Sequence, residues 1–545
     1  MKIKLNFKGE ILIQAALVGL VAGFFVVLFK ISITNLFNSI QFNIKEKIFL
    51  LPVICALGGL ISGYLVDKFA PETKGSGIPY VKATLAHLGN LTRVRSIFVK
   101  FFGGIASIGC GMSLGREGPS VQLGAGAGAL IGKIFKLNGS NKDKLISAGA
   151  GSAIAATFNA PIAGCIFVLE ELLQKFNSST LFPVLIATVC ACAIARNILG
   201  NDVSFLIPNI ENDFKINFLV CIMTGIFCGI LGVLFSKLIH FNNYLFSKIK
   251  IKSYFKPAIC GFIVGLVGIF LPLIMGSGNT GVNVLLQGKL GIVLIILIFI
   301  FKFLITPLCF GSGAVGGIFL PTLMLGAYLG YIIGYFSTQF GFDVNLTAAS
   351  LIGMAGFLSS VARTPICATV MVFEMTGRYD LILYIMLVCA ISDIVAQNLN
   401  HISIYSELIL KQIKNSPEIK ILKTKHVKDI FQKEVFTLDY DLSLDLAQKT
   451  IQNINHNLFP VKNNENKALG TITKSAIEDS LINSNNKNLK VIDIMNTNIL
   501  KVYQELDLYS LLLKFHFNEQ NKAIVLNSKD EIIGIVTRYD IQKIL

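Results

Sequence analysis

The chain has 545 residues, 53% hydrophobic and 15% charged, with a formal net charge of +16. That balance is far more apolar than a soluble globular domain and puts most of the chain in a bilayer. The positive charge is spread between apolar stretches, which argues against nucleic acid as the partner; the 11 cysteines have neither zinc nor disulfide spacing and read as small packing residues.

Apolar stretches run at 11–29, 51–66, 180–199, 216–239, 257–275 and 290–308. Several approach the roughly 20 residues that a helix needs to cross the hydrocarbon core. The first follows Lys2, Lys4 and Lys8. It is long for a signal peptide and no small-residue cleavage site follows, so it reads as a retained span. Basic clusters at the N-terminus, at 133–144 and at 248–256 contrast with Asp202, Glu211 and Asp213. This positive-inside pattern predicts that both termini are cytoplasmic.

Four segments join small residues to a proline that starts or breaks a helix: Gly75-Ser76-Gly77-Ile78-Pro79, Gly115-Arg116-Glu117-Gly118-Pro119, the region around Pro161, and Gly311 through Pro321. Non-helical backbone at membrane depth is tolerated only where it is buried in protein or lines a cavity. Amides at helix starts then favour an anion. Helix packing through small residues is the competing explanation, and it is the one adopted for Gly59-x-x-x-Gly63 and Gly128-x-x-x-Gly132. Glu117 is the exception among these apolar surroundings. An ionisable group at this depth costs about 2.5–3.5 kcal/mol or more, which marks it as functional. One short segment thus offers a place for an anion and a carboxylate able to compete for it.

The pattern is duplicated. Pro161-Ile162 opens an apolar run ending at Glu170, and Pro365-Ile366 opens one ending at Glu374. Gly115 to Pro119 precedes the first run as Gly317-Ile318-Phe319-Leu320-Pro321 precedes the second. Two homologous halves with Gly/Pro-interrupted segments at matching positions point to a transporter. Glu170 and Glu171 are adjacent; helix neighbours point about 100° apart, a poor bidentate metal cage, and no metal site is expected.

Composition changes near residue 410. A membrane domain is predicted at 1–410, a linker at 411–421, and two soluble modules at 422–483 and 487–545. Val427-Lys428-Asp429-Ile430 matches Val491-Ile492-Asp493-Ile494, and Gly470-Thr471-Ile472-Thr473 matches Gly534-Ile535-Val536-Thr537 at the same spacing. Each module reads as strand, polar turn, strand, helix.

With these motifs in order, the chain resembles the CLC family of chloride channels and chloride/proton exchangers, and the tail resembles the paired CBS domains that many members carry. The resemblance implies an all-α polytopic membrane domain of two inverted repeats with re-entrant, broken helices, followed by an α/β tandem CBS domain. It also implies a homodimer in the lipid bilayer, here the cell membrane, with chloride and protons as the transported species. By the same resemblance Ser76 and Tyr405 supply hydroxyls, and Ile318 and Phe319 supply amides, to a central chloride. Arg116, Glu117 and Gly118 form an outer anion site with Glu117 as the gate, and Glu171 is the internal proton acceptor. Arg116 itself reads as anchoring its loop near the surface. Val315 stands where the family often has proline.

A carboxylate at Glu171 favours an exchanger. A passive voltage- or pH-gated channel is the rival reading, and a ligand sensor built on the tail is a distant third. CBS modules that bind adenosine ligands often use Thr-x-x-Asp, which Thr537 and Asp540 fit; in the first module Ala476 replaces the Asp. No cofactor beyond such a nucleotide is expected. An enzyme is not: Gly111-Met112-Ser113-Leu114-Gly115 fits the nucleophile-elbow pattern, but it lies in a membrane segment with no histidine placed beside it.

Overall fold

The computed structural model describes the chain except residues 1–6, 87–90, 202, 206, 208–216, 401–402, 407, 409–416, 434, 453, 455–456, 484–488, 519, 543 and 545. Lys2, Lys4, Asp202, Glu211, Asp213 and most of the expected linker lie outside the described residues. The chain divides into two compact units, 1–410 and 411–545.

The first unit is helical, and the helices described before residue 400 fall into two sets of eight. The first set is α1 (Phe7–Asn43), α2 (Leu51–Phe69), α3 (Ile78–Leu85), α4 (Val94–Gly109), α5 (Glu117–Ile134), α6 (Ser140–Phe158), α7 (Pro161–Phe167) and α8 (Ser178–Leu199). The second is α9 (Phe218–Lys248), α10 (Phe255–Phe270), α11 (Asn279–Leu286), α12 (Ile292–Ser312), α13 (Phe319–Gln339), α14 (Leu346–Ala362), α15 (Pro365–Thr376) and α16 (Ile382–Leu399). Among the described residues, seven helices are long and apolar enough to cross a membrane. Five of the six stretches expected to span fall on these. The stretch 257–275 instead forms the shorter α10 and a turn. The spans α13 and α16 were not among the six; glycines and Pro321 had disguised α13.

Matching helices repeat the same contacts. Gly124 of α5 meets Gly149 of α6 backbone to backbone, and Gly326 of α13 meets Gly353 of α14 in the same way. A side chain at any of the four would overlap the facing carbonyl, so small residues set the closeness of both pairs. Gly59 and Gly128 likewise face the backbones of Pro257 and Leu145.

The orientation of the halves is visible where α7 meets α15. Glu170, beyond the end of α7, accepts hydrogen bonds from the amides of Ile366 (3.1 Å) and Cys367 (2.6 Å) at the start of α15. Glu374, near the end of α15, accepts from Ile162 (3.1 Å) and Ala163 (2.7 Å) at the start of α7. Each carboxylate satisfies the open amides of the other helix's first turn. Only antiparallel helices can cap each other in this way, as inverted repeats require.

In the second unit, α17 (Pro417–Thr424) occupies part of the expected linker, so from Pro417 that segment is helical. Each module has a three-stranded sheet with one parallel and one antiparallel pairing. The first consists of β1 (Leu438–Asp439), β2 (Leu458–Lys462) and β3 (Ala468–Thr473); the second of β4 (Leu500–Tyr503), β5 (Lys522–Leu526) and β6 (Ile532–Thr537). The repeated Asp429 and Asp493 accept from the amides of His426 and Lys490, both at 2.8 Å, and so start short helical turns. The turn at Val427–Asp429 packs on the second module, where the Val427 amide donates to Leu506 O and that of Gln432 to Ile535 O. The turn at Val491–Ile494 packs on the first, with the Val491 amide donating to Leu442 O. The modules therefore exchange their leading segments, and the boundaries 422–483 and 487–545 do not separate them in space.

Candidate functional site

Three Gly/Pro loops from opposite halves are stitched into one structure. Gly115 and Gly317 exchange amide–carbonyl hydrogen bonds of 2.7 and 2.6 Å, and the Gly316 amide donates to Gly75 O at 3.1 Å. Gly118 lies directly on Ser76, where an added Cβ would overlap the Ser76 hydroxyl and carbonyl. Gly77, at φ +98°, is pressed against Gln122. Glycine is required here both for left-handed backbone and for the absence of a side chain.

Buried lysines hold the loops. Lys100 Nζ on α4 donates to Thr73 O (2.9 Å) and Gly75 O (2.7 Å). Its repeat-mate Lys302 on α12 donates to Ile274 O and Gly276 O, both at 2.8 Å. Gly276-Ser277-Gly278 opens α11 as Gly75-Ser76-Gly77 opens α3, with Gly278 at φ +101°. The repeated Gly-Ser-Gly and the lysines at matching positions were the available signal for this pairing. Val315, in place of the proline common in the resembling family, donates its amide to Ser62 Oγ at 3.1 Å, a bond that proline cannot make.

Glu117 is the first residue of α5 and is fully buried. The Leu320 amide donates to its Oε2 at 3.3 Å. The amides of Ile318 and Phe319 stand at the open start of α13, where the helix supplies no acceptor. Ser76 Oγ, Glu117 Oε1 and both amide atoms of Gln122 are buried without a hydrogen-bond partner. Buried polar atoms are rarely left so. This cluster of unmet donors and acceptors, at the openings of helices from both halves, is suited to a small ion and its water. Gln122 was not foreseen, because a lone glutamine on a helix carries no sequence signal.

Tyr405 is buried and lies within electrostatic reach of both Glu117 and Glu171. The Phe319 ring packs against Phe158 and Phe167, with centroids 5.7 and 6.3 Å away. Glu171 lies in a π-helical turn, Val168–Leu173, that continues α7. Such turns often mark functional sites. Its Oε1 pairs with Lys82 Nζ at 2.9 Å, both side chains being nearly inaccessible. Sequence reasoning missed Lys82 as it missed Lys100.

Arg116 departs from expectation. It is 6% exposed rather than near the surface. Its guanidinium reaches Thr34 Oγ1 on α1 at 3.5 Å, while the Glu117 carboxylate turns to α13. Consecutive residues at a helix start diverge, so the two side chains serve different neighbours.

The voltage gated chloride channel family matches residues 58–397. The chain belongs to the CLC family. A CBS domain match covers residues 491–545. The H(+)/Cl(-) exchange transporter ClcA of Vibrio parahaemolyticus is 34% identical over 422 residues, spanning 74% of this chain and 90% of that protein. A slow cyanobacterial Cl-/H+ antiporter superposes with a TM-score of 0.71 at 27% identity, covering 76% of this chain and all of the other. A eukaryotic CLC transporter shares the fold over 97% of this chain and 98% of its own, with a TM-score of 0.68 at 20% identity.

Thr537 and Asp540 lie in the other unit. The Thr537 amide and hydroxyl both donate to Asp540 Oδ2, at 2.9 and 2.7 Å. The pair thus caps α18 (Arg538–Gln542). Thr537 also borders a cavity of about 80 Å³ with Phe436, Asn457 and Lys522. Asp540 is not among the residues lining it.

Proposed function

We propose that this chain exchanges chloride for protons across the membrane. The observation that carries the reading is a pair of buried carboxylates, Glu117 and Glu171, with buried Tyr405 next in the chain to Ser406, which shares Lys82 with Glu171. When Glu117 is ionised, its carboxylate occupies the amides at the start of α13 and closes the outer path. When it is protonated it loses that attraction. Chloride then takes the partial charges of the Ile318 and Phe319 amides and of the Ser76 and Tyr405 hydroxyls, which dehydrate it without trapping it. Gly118 lets Ser76 reach this place, and Arg116 braces the loop from α1. Glu171 receives protons from the cytoplasmic side and exchanges them with Glu117. Binding linkage is reciprocal, so proton and anion occupancy are tied together.

The full-length protein in liposomes, with chloride and proton movement recorded together, tests this. Wild type should pump protons uphill on a chloride gradient. Glu117→Gln and Glu171→Gln should each keep chloride flux and lose proton flux. Chloride flux without proton pumping in wild type identifies a passive channel.

We further propose a homodimer in the cell membrane with cytoplasmic termini. Support for the dimer comes from the α7/α15 pair, whose exposed Ile162 and Ile366 adjoin capping carboxylates. Polar groups at that depth call for cover by protein rather than lipid. The distribution of lysines supports the orientation. For the tail we propose a single adenosine-nucleotide site using Thr537 and Asp540.

A further inference from the structure

Lys82 is a buried charge to which the exchange reaction above assigns no task. It lies on α3, the helix opened by the Ser76 loop, and is 7% exposed. Its ammonium donates to Glu171 Oε1 at 2.9 Å and to Ser406 Oγ at 3.1 Å. Ser406 follows Tyr405 and accepts in turn from Ser403 Oγ at 3.0 Å. One cation therefore joins three segments: the helix behind Ser76, the turn bearing Glu171, and the turn bearing Tyr405.

We propose that Lys82 is a positioning residue that links the proton on Glu171 to the anion path at Tyr405. The idea rests on reading Glu171 as the inner proton acceptor. With Glu171 ionised, the buried pair is neutral and Lys82 is held on the carboxylate. A proton arriving on Glu171 cancels the carboxylate charge and leaves the Lys82 ammonium without its counterion. Removing one charge of a buried pair leaves the other uncompensated.

The surrounding groups offer little to compensate it. Glu170, next in the chain, already accepts two α15 amides. The Cys367 thiol donates to Ala163 O and so supplies no charge. From α7 the only titratable group is Cys165, and α6 has no ionisable residue after Lys144. Chloride in the adjoining path is the remaining counterion. Protonation of Glu171 thus favours chloride entry on the Tyr405 side, and chloride favours protonation by the same factor.

The test uses full-length protein in liposomes, reading proton-to-chloride stoichiometry and the dependence of chloride flux on cytoplasmic-side pH. Lys82→Met should retain chloride flux, lower the stoichiometry, and reduce the effect of cytoplasmic-side pH on apparent chloride affinity by about fivefold or more, the low end of site-to-site coupling. Lys82→Arg should preserve both, and Lys82→Met/Glu171→Gln should behave as Glu171→Gln alone. If Lys82→Met pumps with wild-type stoichiometry and pH profile while Glu171→Gln does not pump, the inference is overturned and the role of Glu171 stands. If Glu171→Gln itself pumps, the role of Glu171 fails first. Should Lys82→Met not fold, Ser406→Ala decides. It leaves the ion pair intact and should still shift the pH dependence; an unchanged profile overturns the link.

Discussion

The twin lysines allow a prediction with its control built into the molecule. In Lys100→Met, Thr73 O loses its donor, while Gly75 O keeps the Gly316 amide. One orphaned and one half-satisfied carbonyl cost about 2–4 kcal/mol. Lys302→Met removes the same two bonds from Ile274 O and Gly276 O and should destabilise by a similar amount. The effect on chloride should differ. Lys100 fixes the loop carrying Ser76, and losing about 1.4 kcal/mol of that hydroxyl's contribution weakens binding about tenfold. Lys302 fixes the loop before α11, which meets α13 mid-helix, where Tyr328 Oη donates to Gly281 O at 3.1 Å, away from the Phe319 amide. Thermal unfolding and chloride titration calorimetry of both variants measure the two effects. Equal loss of chloride affinity in the two, or none in Lys100→Met, would refute the claim that these lysines act through their own loops.

Gly118→Ala puts a methyl group into Ser76. It should cost about 1–3 kcal/mol of stability and abolish measurable chloride binding, whereas Gly291→Ala, in open space, should leave both unchanged by the same assays. Glu374→Gln replaces the charged acceptor of the Ile162 and Ala163 amides and should destabilise by about 1.5–3 kcal/mol. Glu170→Gln should match it, and a neutral result for one alone in thermal unfolding would contradict mutual capping. Asp540→Ala removes the cap of α18, worth about 0.5–2 kcal/mol, and should speed hydrogen exchange across 522–542 in the full chain. Added AMP should slow that exchange in wild type and have no effect in Asp540→Ala; no effect of AMP on wild type counts against the nucleotide site.

Much of this protein is set by local pattern. Apolar stretches, lysines between them, and prolines opening helices declare a duplicated membrane domain, because burial depth and helix starts are properties of short segments. Glu117 declares itself for the same reason, as a carboxylate where the surrounding residues offer it no water. Partnership is a different matter. Nothing near Glu374 in the chain says that its oxygens will meet the amides of Ile162 and Ala163, and nothing near Lys82 names Glu171 or Ser406. Arg116 looked like a surface anchor because arginine usually is one; only the packing of α1 against α5 buries it. In the tail, the Val-x-Asp-Ile repeat announces two modules but not that each copy packs on the other module. The sequence by itself determined the membrane class, the duplication, and the loops from which an anion site can be built. The tertiary structure alone decided which buried charge meets which, since those pairings join residues far apart in the chain and depend on how the two halves pack.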